Sequence, residues 1–530
     1  MKTYDGYNQT DTQHACFLCT LDPKNSCAEP QLEGRIVAAQ ERMLDGEKIS
    51  VVLLDTGTAR IELHLDNHYY RNFVKDLNAK GAVLSSYHLT LRVYHLPTAP
   101  VTVEYKGRTR QCYKGNSYTL AVLEPDILLN ITDLNQAEYC SRQYLLKRLA
   151  PSPVSAATIR GNLVHHCFKE LLKEHDRGKF HTPYTDDAQE TPLATLHRHL
   201  EQALHLNSID LALANVSTEV IRADVAPHLE SLARWYERER DTLWDMPAVQ
   251  TDNQWDGQEP SSGNQVRAET FLLAPEIGLR GRLDLFWQQS GRQRLLELKT
   301  GGATGELPKR EHRWQVNGYH ALLMVRRDSK MKKALATLLY SGTPGSAQAH
   351  GIPATIREIQ RVNQTRNTLV LSHITGIPPT PPGPSRCTKC AMLSQCQQVS
   401  SLLSWQPPEP DNRTQQYIDT SEDREFFAKY YQLLHLEGQA GEQQQALLWK
   451  TPVAERLERG TAISGLELLG TATIDRDGWE QTYRCVNTSE LREGDEVLLS
   501  DGNPITGEVV TGTILSVSSM YWSNYTLCRT

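Results

Sequence analysis

The chain has 530 residues and a formal net charge of −7, with 39% hydrophobic and 22% charged residues. This length is too great for one hydrophobic core, so we expect two to four domains of an ordinary soluble protein. The sequence has no apolar run of about 18 residues and no secretory leader pattern, which argues against membrane insertion and secretion and predicts a cytoplasmic protein, or a nuclear one in a eukaryote. The acidic balance excludes a globally basic surface but not a local basic channel for nucleic acid.

The first part of the chain predicts an irregular arm followed by a small β domain. Residues 1–32 are polar and show little periodicity. Residues 33–130 contain the strand-like runs "ISVVLLD", "ARIELHL", "SYHLTLRVYHL" and "SYTLAVLE", with one helical stretch, "NHYYRNFVKDL", between the second and third. Several short strands with one interposed helix predict a β-barrel of the oligonucleotide-binding (OB) type.

The middle and the end of the chain predict three further regions. Residues 131–402 begin with helical patterns and continue with the strands "LRGRLDLFW" and "RQRLLELKT", the helix "HRWQVNGYHALLMVRR" and the strand "ALATLLYSG". Residues 403–465 predict a linker and a helical stalk, and residues 466–530 return to short strands that predict a second small barrel. We find no fixed-period repeat.

The strand pair around residues 281–301 carries the first candidate site. Residues two apart on a strand share a face, so Glu297 and Lys299 point together, and Asp284 on the preceding strand can reach the same side. Two carboxylates at one point suit Mg²⁺ or Mn²⁺, and a lysine beside them can hold water or stabilise charge on a phosphate. By itself, this hairpin fits a solvated surface equally well.

Two helical segments add candidates for the same site. "GNLVHH" places His165 four residues after Gly161, where its imidazole can supply a nitrogen ligand to Mn²⁺. Gln315 and Tyr319 lie one helical turn apart and so share a helix face. Each of these also fits a structural role in the core.

The cysteines give the more specific pattern. Of eleven, Cys387, Cys390 and Cys396 follow the spacing C-x2-C-x5-C, and Cys140 is the natural fourth ligand. Four thiolates fit either a tetrahedral zinc ion or an iron-sulfur cluster, and the spacing leaves both open. In either case the site would staple the start of the domain to its end. We interpret Cys16, Cys19 and Cys27 in the arm as free thiols.

The order of these motifs resembles a known family. Cys140, "GNLVH", "GLRGRLD", "LELKTG", "HRWQVNGY" and the triple-cysteine motif follow one another as in the RecB-like branch of PD-(D/E)xK nucleases that carry an iron-sulfur cluster. This branch includes the CRISPR adaptation nucleases, the AddB nuclease and the flap-trimming nuclease-helicases of replication. The last group is the most similar, because there an OB-like barrel precedes the nuclease, and a helical stalk and a small barrel follow it.

The resemblance implies an α/β restriction-endonuclease-like core between these flanking modules, and it assigns roles to the candidates. His165, Asp284 and Glu297 would bind Mg²⁺ or Mn²⁺, with Lys299 as the catalytic lysine. Gln315 and Tyr319 would form the QxxxY pair that supports the site. The ligands of a 4Fe-4S cluster would be Cys140, Cys387, Cys390 and Cys396. Arg142 would contact a phosphate of DNA. Leu283 stands in place of the usual proline before Asp284.

The resulting functional prediction is a metal-dependent nuclease that cleaves single-stranded or flap DNA in repair, replication or anti-phage defence. The sequence contains no GxxxxGK[ST] loop for ATP. A superfamily 1 helicase motor would therefore act in trans or belong to a longer parent chain. The alternative is a catalytically silent DNA-binding or scaffold subunit of a helicase complex, which the intact set of catalytic residue types disfavours. A CRISPR-type adaptation nuclease fits the core motifs but not the flanking barrels.

Overall fold

The structure is a computed structural model. It describes residues 32–79, 87–96, 100–105, 107–149, 154–176, 190–243, 266–289, 292–302, 307–324, 334–343, 345–409, 420–474, 478–486, 489–500, 509–520 and 522–528. The predicted N-terminal arm, with Cys16, Cys19 and Cys27, lies outside the described residues except for Leu32. The chain divides into two compact units, one of residues 1–272 and 276–435, the other of residues 273–275 and 436–530.

The first unit begins with a seven-stranded sheet of order β5-β6-β3-β2-β1-β4-β7. Its strands are β1 (Leu32–Leu44), β2 (Glu47–Asp55), β3 (Arg60–Leu65), β4 (Thr90–Tyr94), β5 (Val101–Tyr105), β6 (Arg108–Lys114) and β7 (Leu120–Leu123). Helix α1 (Asn67–Ala79) packs on β1 and β2 through Tyr70, Phe73, Val74 and Leu77. The two ends of the sheet, β5 and β7, do not pair among the described residues, so these residues form no closed barrel, and the OB-like barrel stays a prediction.

A mixed sheet follows in the same unit, with the order β13-β12-β11-β10-β8 and with β9 also paired to β10. Its strands are β8 (Leu129–Asn130), β9 (Val266–Ala274), β10 (Leu279–Gln289), β11 (Arg292–Lys299), β12 (Ala334–Tyr340) and β13 (Gln348–Ile352). β10 and β11 form the predicted antiparallel hairpin, whereas β11 and β12 are parallel. A parallel pair needs a crossover connection, and helix α8 (Arg310–Met324) supplies it.

The first unit also contains nine further helices within the described ranges, several of which pack on this mixed sheet. They are α2 (Ile131–Cys140), α3 (Gln143–Leu149), α4 (Ala156–Asp176), α5 (Pro192–Leu206), α6 (Ser208–Leu213), α7 (Thr218–Leu243), α9 (Ile356–Thr375), α10 (Pro384–Cys387) and α11 (Leu393–Leu402). The apolar faces of α4, α5 and α7 enclose one core with Leu285 and Leu296 of the hairpin. This burial holds α4 against the strands that carry the candidate carboxylates. The helical ends follow local rules, since Thr191 caps α5 through the backbone N–H of Ala194.

Helix α9 joins the two sheets of the first unit. Its Arg366 is fully buried and donates hydrogen bonds to the carbonyls of Gly278, Glu124 and Ile127. Gly278 adopts a positive φ of 62°, and a Cβ there would lie 2.0 Å from the guanidinium of Arg366. Burial lowers the pKa of Arg366 to about 9 although Glu124 opposes the shift. Long-range contacts of this kind tie the turn before β10 to the N-terminal sheet.

The second unit contains the end of helix α12 (Ser421–Lys450), helix α13 (Val453–Glu458) and a five-stranded antiparallel sheet of order β14-β15-β18-β17-β16. Its strands are β14 (Glu467–Ile474), β15 (Gly478–Cys485), β16 (Glu496–Ser500), β17 (Val509–Met520) and β18 (Trp522–Cys528). The ends of this sheet, β14 and β16, do not pair in the part of the chain that the structure describes. These residues therefore form no closed barrel either, and the second small barrel stays a prediction.

Candidate active site

The hairpin β10–β11 brings Asp284 and Glu297 to neighbouring positions on two paired strands. The last register pair of the hairpin is Leu285 with Leu296, directly beside the two acidic residues. Asp284 Oδ2 accepts a 2.7 Å hydrogen bond from the backbone N–H of Leu298. This bond fixes one oxygen of Asp284 across the strand pair and leaves the other directed towards helix α4.

Glu297 uses one carboxylate oxygen for all its described protein contacts. Its Oε1 accepts from Lys299 Nζ at 2.6 Å and from the side-chain amide of Gln315. The side chain is almost fully buried, yet its Oε2 has no hydrogen-bond partner among the described residues. A buried carboxylate oxygen without a partner is costly. This oxygen is therefore the natural position for a ligand that the protein itself does not supply.

Helix α4 contributes His165 to the same place. Its Nδ1 lies 3.3 Å from Asp284 Oδ1, and the imidazole remains partly exposed. The structure thus assembles His165, Asp284, Glu297 and Lys299 from one helix and two strands. All four are side chains that the sequence predicted at one site.

The ionisable groups of this cluster shift one another's pKa values. Burial raises the pKa of Glu297 to about 7, and the negative charge of Asp284 adds to the shift. Burial would raise the pKa of Asp284 as well, but His165 and Lys299 outweigh it and the pKa is lowered. Burial would lower the pKa of His165 and of Lys299, but the carboxylates outweigh it and both are raised. Burial and Asp284 thus oppose the ionisation of Glu297, whereas His165 and Lys299 favour the ionisation of Asp284.

Helix α8 supports the site from behind with the predicted pair Gln315 and Tyr319. Both side chains are buried, and Gln315 Nε2 donates to Glu297 and, at 3.2 Å, to the hydroxyl of Tyr319. The Tyr319 hydroxyl in turn donates to the Arg282 carbonyl at 2.8 Å. Gly281 makes room for this ring, because a Cβ at Gly281 would lie 2.9 Å from it. The QxxxY pair thus connects β10 to β11 through side chains.

Asn135 of helix α2 is a further residue of the site that its sequence did not predict. Its side-chain amide donates to Gln315 Oε1 at 3.2 Å, which leaves Gln315 Nε2 to face Glu297. The one local signal was an asparagine within a helix, where this residue type has low propensity. A contact between residues so far apart in the chain cannot be read from either segment alone.

The donor set of the cluster suits a divalent cation. Asp284 and Glu297 supply hard oxygen ligands and His165 an imidazole, and Glu297 Oε2 is buried without a partner. As they stand, no three or more His, Cys, Asp or Glu side chains within the described ranges are arranged to hold a metal ion. The imidazole and the carboxylate of Asp284 instead face each other directly, so a bound cation would have to replace that contact.

The four predicted cysteine ligands line one small cavity. Cys140 at the end of α2, Cys387, Cys390 and Cys396 all border it, and Gln143 Nε2 donates to Cys390 Sγ at 3.3 Å. Burial raises the pKa of the Cys140, Cys387 and Cys396 thiols. These four cysteines form no disulfide with one another.

The side chain of Arg142, for which the sequence predicts a phosphate contact, is buried in the structure. The side chain is 1% exposed, and its guanidinium donates to the carbonyls of Pro379 and Gln406 and to the hydroxyl of Ser400. It also approaches Cys396 Sγ at 4.0 Å. Arg142 therefore links the segments around the cysteines through buried hydrogen bonds. Its guanidinium donates to protein acceptors rather than facing solvent.

Comparison with known proteins decides the family. The model of the PD-(D/E)XK nuclease superfamily matches residues 129–397, about half of the chain, and this range contains the whole cluster described above. The chain belongs to the PD-(D/E)XK nuclease superfamily. Within it, Glu297-Leu298-Lys299 matches the (D/E)XK part of the superfamily pattern, and Leu283-Asp284 stands where PD is named.

Membership in the superfamily supports nuclease activity, and members generally use Mg²⁺ or Mn²⁺. No curated protein matches the chain significantly. A solved structure titled "Crystal structure of SSO0001" is similar at 17% identity, over 44% of this chain and 94% of that one, with a TM-score of 0.21. Within the described ranges, no helix is both long enough and apolar enough to cross a lipid bilayer.

Proposed function

We propose that the protein is a divalent-metal-dependent deoxyribonuclease that hydrolyses phosphodiester bonds in single-stranded or flap DNA. The observation that carries the proposal is the convergence of Asp284, Glu297, Lys299 and His165 at one place within the matched nuclease range. A catalytically silent scaffold would have no use for a buried carboxylate with an unpartnered oxygen.

The residues of the site have distinct roles in this proposal. His165, Asp284 and Glu297 would hold Mg²⁺ or Mn²⁺, which when bound lowers the pKa of a water molecule and polarises the phosphate. Lys299 brings a fixed positive charge to the position where negative charge grows on the phosphate. The backbone N–H of Leu298 and the amide of Gln315 hold the carboxylates so that little reorganisation is needed.

The four cysteine thiols are proposed ligands of a 4Fe-4S cluster that staples α2 to the segment 387–396. Their shared cavity and the N–H donors of Arg142 and Gln143 beside two of the sulfurs support this assignment. Hydrogen bonds to ligating sulfurs are a recognised feature of such sites. Zinc remains the competing occupant, because four thiolates suit it equally well.

We further propose that the protein is of the RecB-like branch, most similar to the nuclease part of the flap-processing nuclease-helicases. A superfamily 1 helicase motor would then deliver single strands to the site, either in trans or from a longer parent chain, in the cytoplasm or the nucleus. The order of the motifs from Cys140 to Cys396 supports this assignment.

The proposal is tested with purified protein on single-stranded, flap and duplex DNA in Mg²⁺, in Mn²⁺ and in EDTA. We expect cleavage of single strands and flaps that requires the cation, with duplex DNA largely intact. Equal cleavage of duplex DNA would refute the single-strand preference, and a lack of cleavage on every substrate would refute the nuclease assignment.

A further inference from the structure

A shallow notch on the surface of helix α4 lies directly beside the candidate active site. It is lined by Thr158, Gly161, Asn162, His165 and Lys169, among others. These residues follow the i, i+4 spacing of one helix face. His165, which faces Asp284, lies one turn beyond Gly161. A ligand seated in the notch therefore extends towards the carboxylates.

Packing among the described residues does not require a glycine at position 161. A Cβ built there meets only one described atom within 4 Å, Thr300 Oγ1 at 3.9 Å, which is an ordinary contact distance. Gly281 and Gly318 differ, since a Cβ would lie 2.9 Å from Tyr319 at the first and 2.8 Å from Ile131 at the second. In a helix interior, glycine costs about 1 kcal/mol relative to alanine. Packing among the described residues therefore leaves the space beside Gly161 open.

The charge around the notch suits an anion. Lys169 lines the notch, and its ammonium lies 3.6 Å from Glu170, whose closer partner, at 2.8 Å, is Lys173, so Glu170 compensates the charge of Lys169 only in part. Thr158 and Asn162 are exposed at the notch and carry hydroxyl and amide donors. Positive charge with neutral donors at a surface depression is the usual way in which proteins hold a sugar–phosphate backbone.

We propose that this notch seats the sugar–phosphate backbone of a single DNA strand, with Gly161 at the point of closest approach. The inference rests on the proposed nuclease function and extends it by giving the strand a path along α4. Thr158 and Asn162 donate to phosphate oxygens, and Lys169 supplies charge. A side chain at position 161 lifts the strand from the helix and displaces the scissile phosphate from the site at Asp284.

The first test fills the notch. Gly161→Ala and Gly161→Leu are compared with Gly441→Ala, a control in helix α12 where a Cβ meets no described atom within 4 Å. Thermal unfolding, anisotropy of labelled single-stranded DNA without a cleaving metal, and cleavage in Mn²⁺ are measured for each. We expect all alanine variants to unfold at or above the wild-type temperature. Because a displacement of about 1 Å can cost about 100-fold in rate, Gly161→Ala should lose cleavage up to that extent, while Gly441→Ala keeps it.

The second test measures charge in the notch. Lys169→Gln removes an ammonium from the notch, and Lys173→Gln removes the other partner of Glu170, one turn further along the same helix. The slope of log affinity against log salt should become shallower by about 0.7 in Lys169→Gln, the value for one phosphate contact on a single strand. Lys173→Gln should keep the wild-type slope.

The outcomes separate this inference from the proposed function. If the wild type cleaves DNA and the Gly161 variants bind and cleave it equally well, the proposed strand path through the notch is refuted. The nuclease assignment is then retained. A Gly161→Ala protein that unfolds at a lower temperature also refutes the strand path, since the glycine would then have a structural purpose. If wild type binds single strands without cleaving them and Gly161→Leu weakens that binding, the notch is supported and the nuclease is refuted. Wild type that neither binds nor cleaves overturns both.

Discussion

The side-chain amide of Asn135 donates a 3.2 Å hydrogen bond to Gln315 Oε1, and Gln315 in turn donates to Glu297. Asn135 thus sets which end of the Gln315 amide faces the carboxylate. An aspartate at position 135 can only accept, so it favours the reversed amide, with Oε1 facing Glu297. We expect Asn135→Asp to lower the single-turnover cleavage rate by roughly 10- to 100-fold, the value of a hydrogen bond to a charged group.

The alanine variant at the same position gives the comparison for that prediction. Asn135→Ala removes the donor without imposing the reversed amide, so its loss should be smaller than that of Asn135→Asp. Binding of single-stranded DNA should be unchanged in both variants. Equal rates in the two variants would contradict an orienting role for Asn135.

Lys299 provides a second prediction. Its ammonium is 2.6 Å from Glu297 Oε1 and is held by that contact within the site. Lys299→Met should lower cleavage by about 10²- to 10³-fold, because one electrostatic donor to the transition state is lost. Affinity for single-stranded DNA should change little. A methionine variant with a wild-type rate would remove Lys299 from the mechanism.

The pH dependence of stability follows from Glu297, whose pKa burial raises to about 7. Between the unfolded pKa of 4.5 and this folded pKa, the folded state holds a proton that the unfolded state has released. The contribution of Glu297 to the free energy of unfolding is therefore greatest below pH 4.5 and is lost as the pH rises through about 7. The loss reaches about 3 kcal/mol at most. The raised pKa of His165 acts in the same direction: its contribution to the free energy of unfolding is lost as the pH rises above the unfolded pKa of 6.5.

This prediction is checked by thermal unfolding in EDTA from pH 5 to 7.5 for the wild type and for Glu297→Gln. The wild type should lose stability across this range, and Glu297→Gln should show a shallower decline. Mn²⁺ should restore stability to the wild type near pH 7, since a cation favours the ionised carboxylate. A parallel decline in both proteins would show that Glu297 does not titrate there.

The cysteine cavity leads to a prediction about metal content. Protein purified without oxygen should be coloured and should contain iron and sulfide, and Cys140→Ala should lose both. Cys112→Ala is the control, because Cys112 is buried in the N-terminal sheet, away from the cavity. A colourless wild type that contains zinc would contradict the cluster, and colour retained in Cys140→Ala would exclude Cys140 as a ligand.

Local rules of the sequence predicted the α/β core and which side chains of the hairpin lie together, but not contacts between distant segments. Glu297 and Lys299 could be paired because strand alternation is a local rule, and Asp284 because the hairpin is short. The OB-like and small barrels stay predictions, because strand runs do not specify whether the two ends of a sheet meet. The burial of Arg142 could not be predicted, because it depends on the carbonyls of Pro379 and Gln406, more than 200 residues away. Asn135 was missed for the same reason, since its partner lies on another helix.

The most direct test of the central claim is the cleavage rate of Asp284→Asn. This substitution keeps the size of the side chain but removes the charge that faces His165 at 3.3 Å. Asp224→Asn is the control, because Asp224 pairs with Arg160 on the surface. We predict that Asp284→Asn binds single-stranded DNA like the wild type but has no detectable cleavage in Mg²⁺ or Mn²⁺, whereas Asp224→Asn cleaves normally. Undiminished cleavage by purified Asp284→Asn would contradict the account.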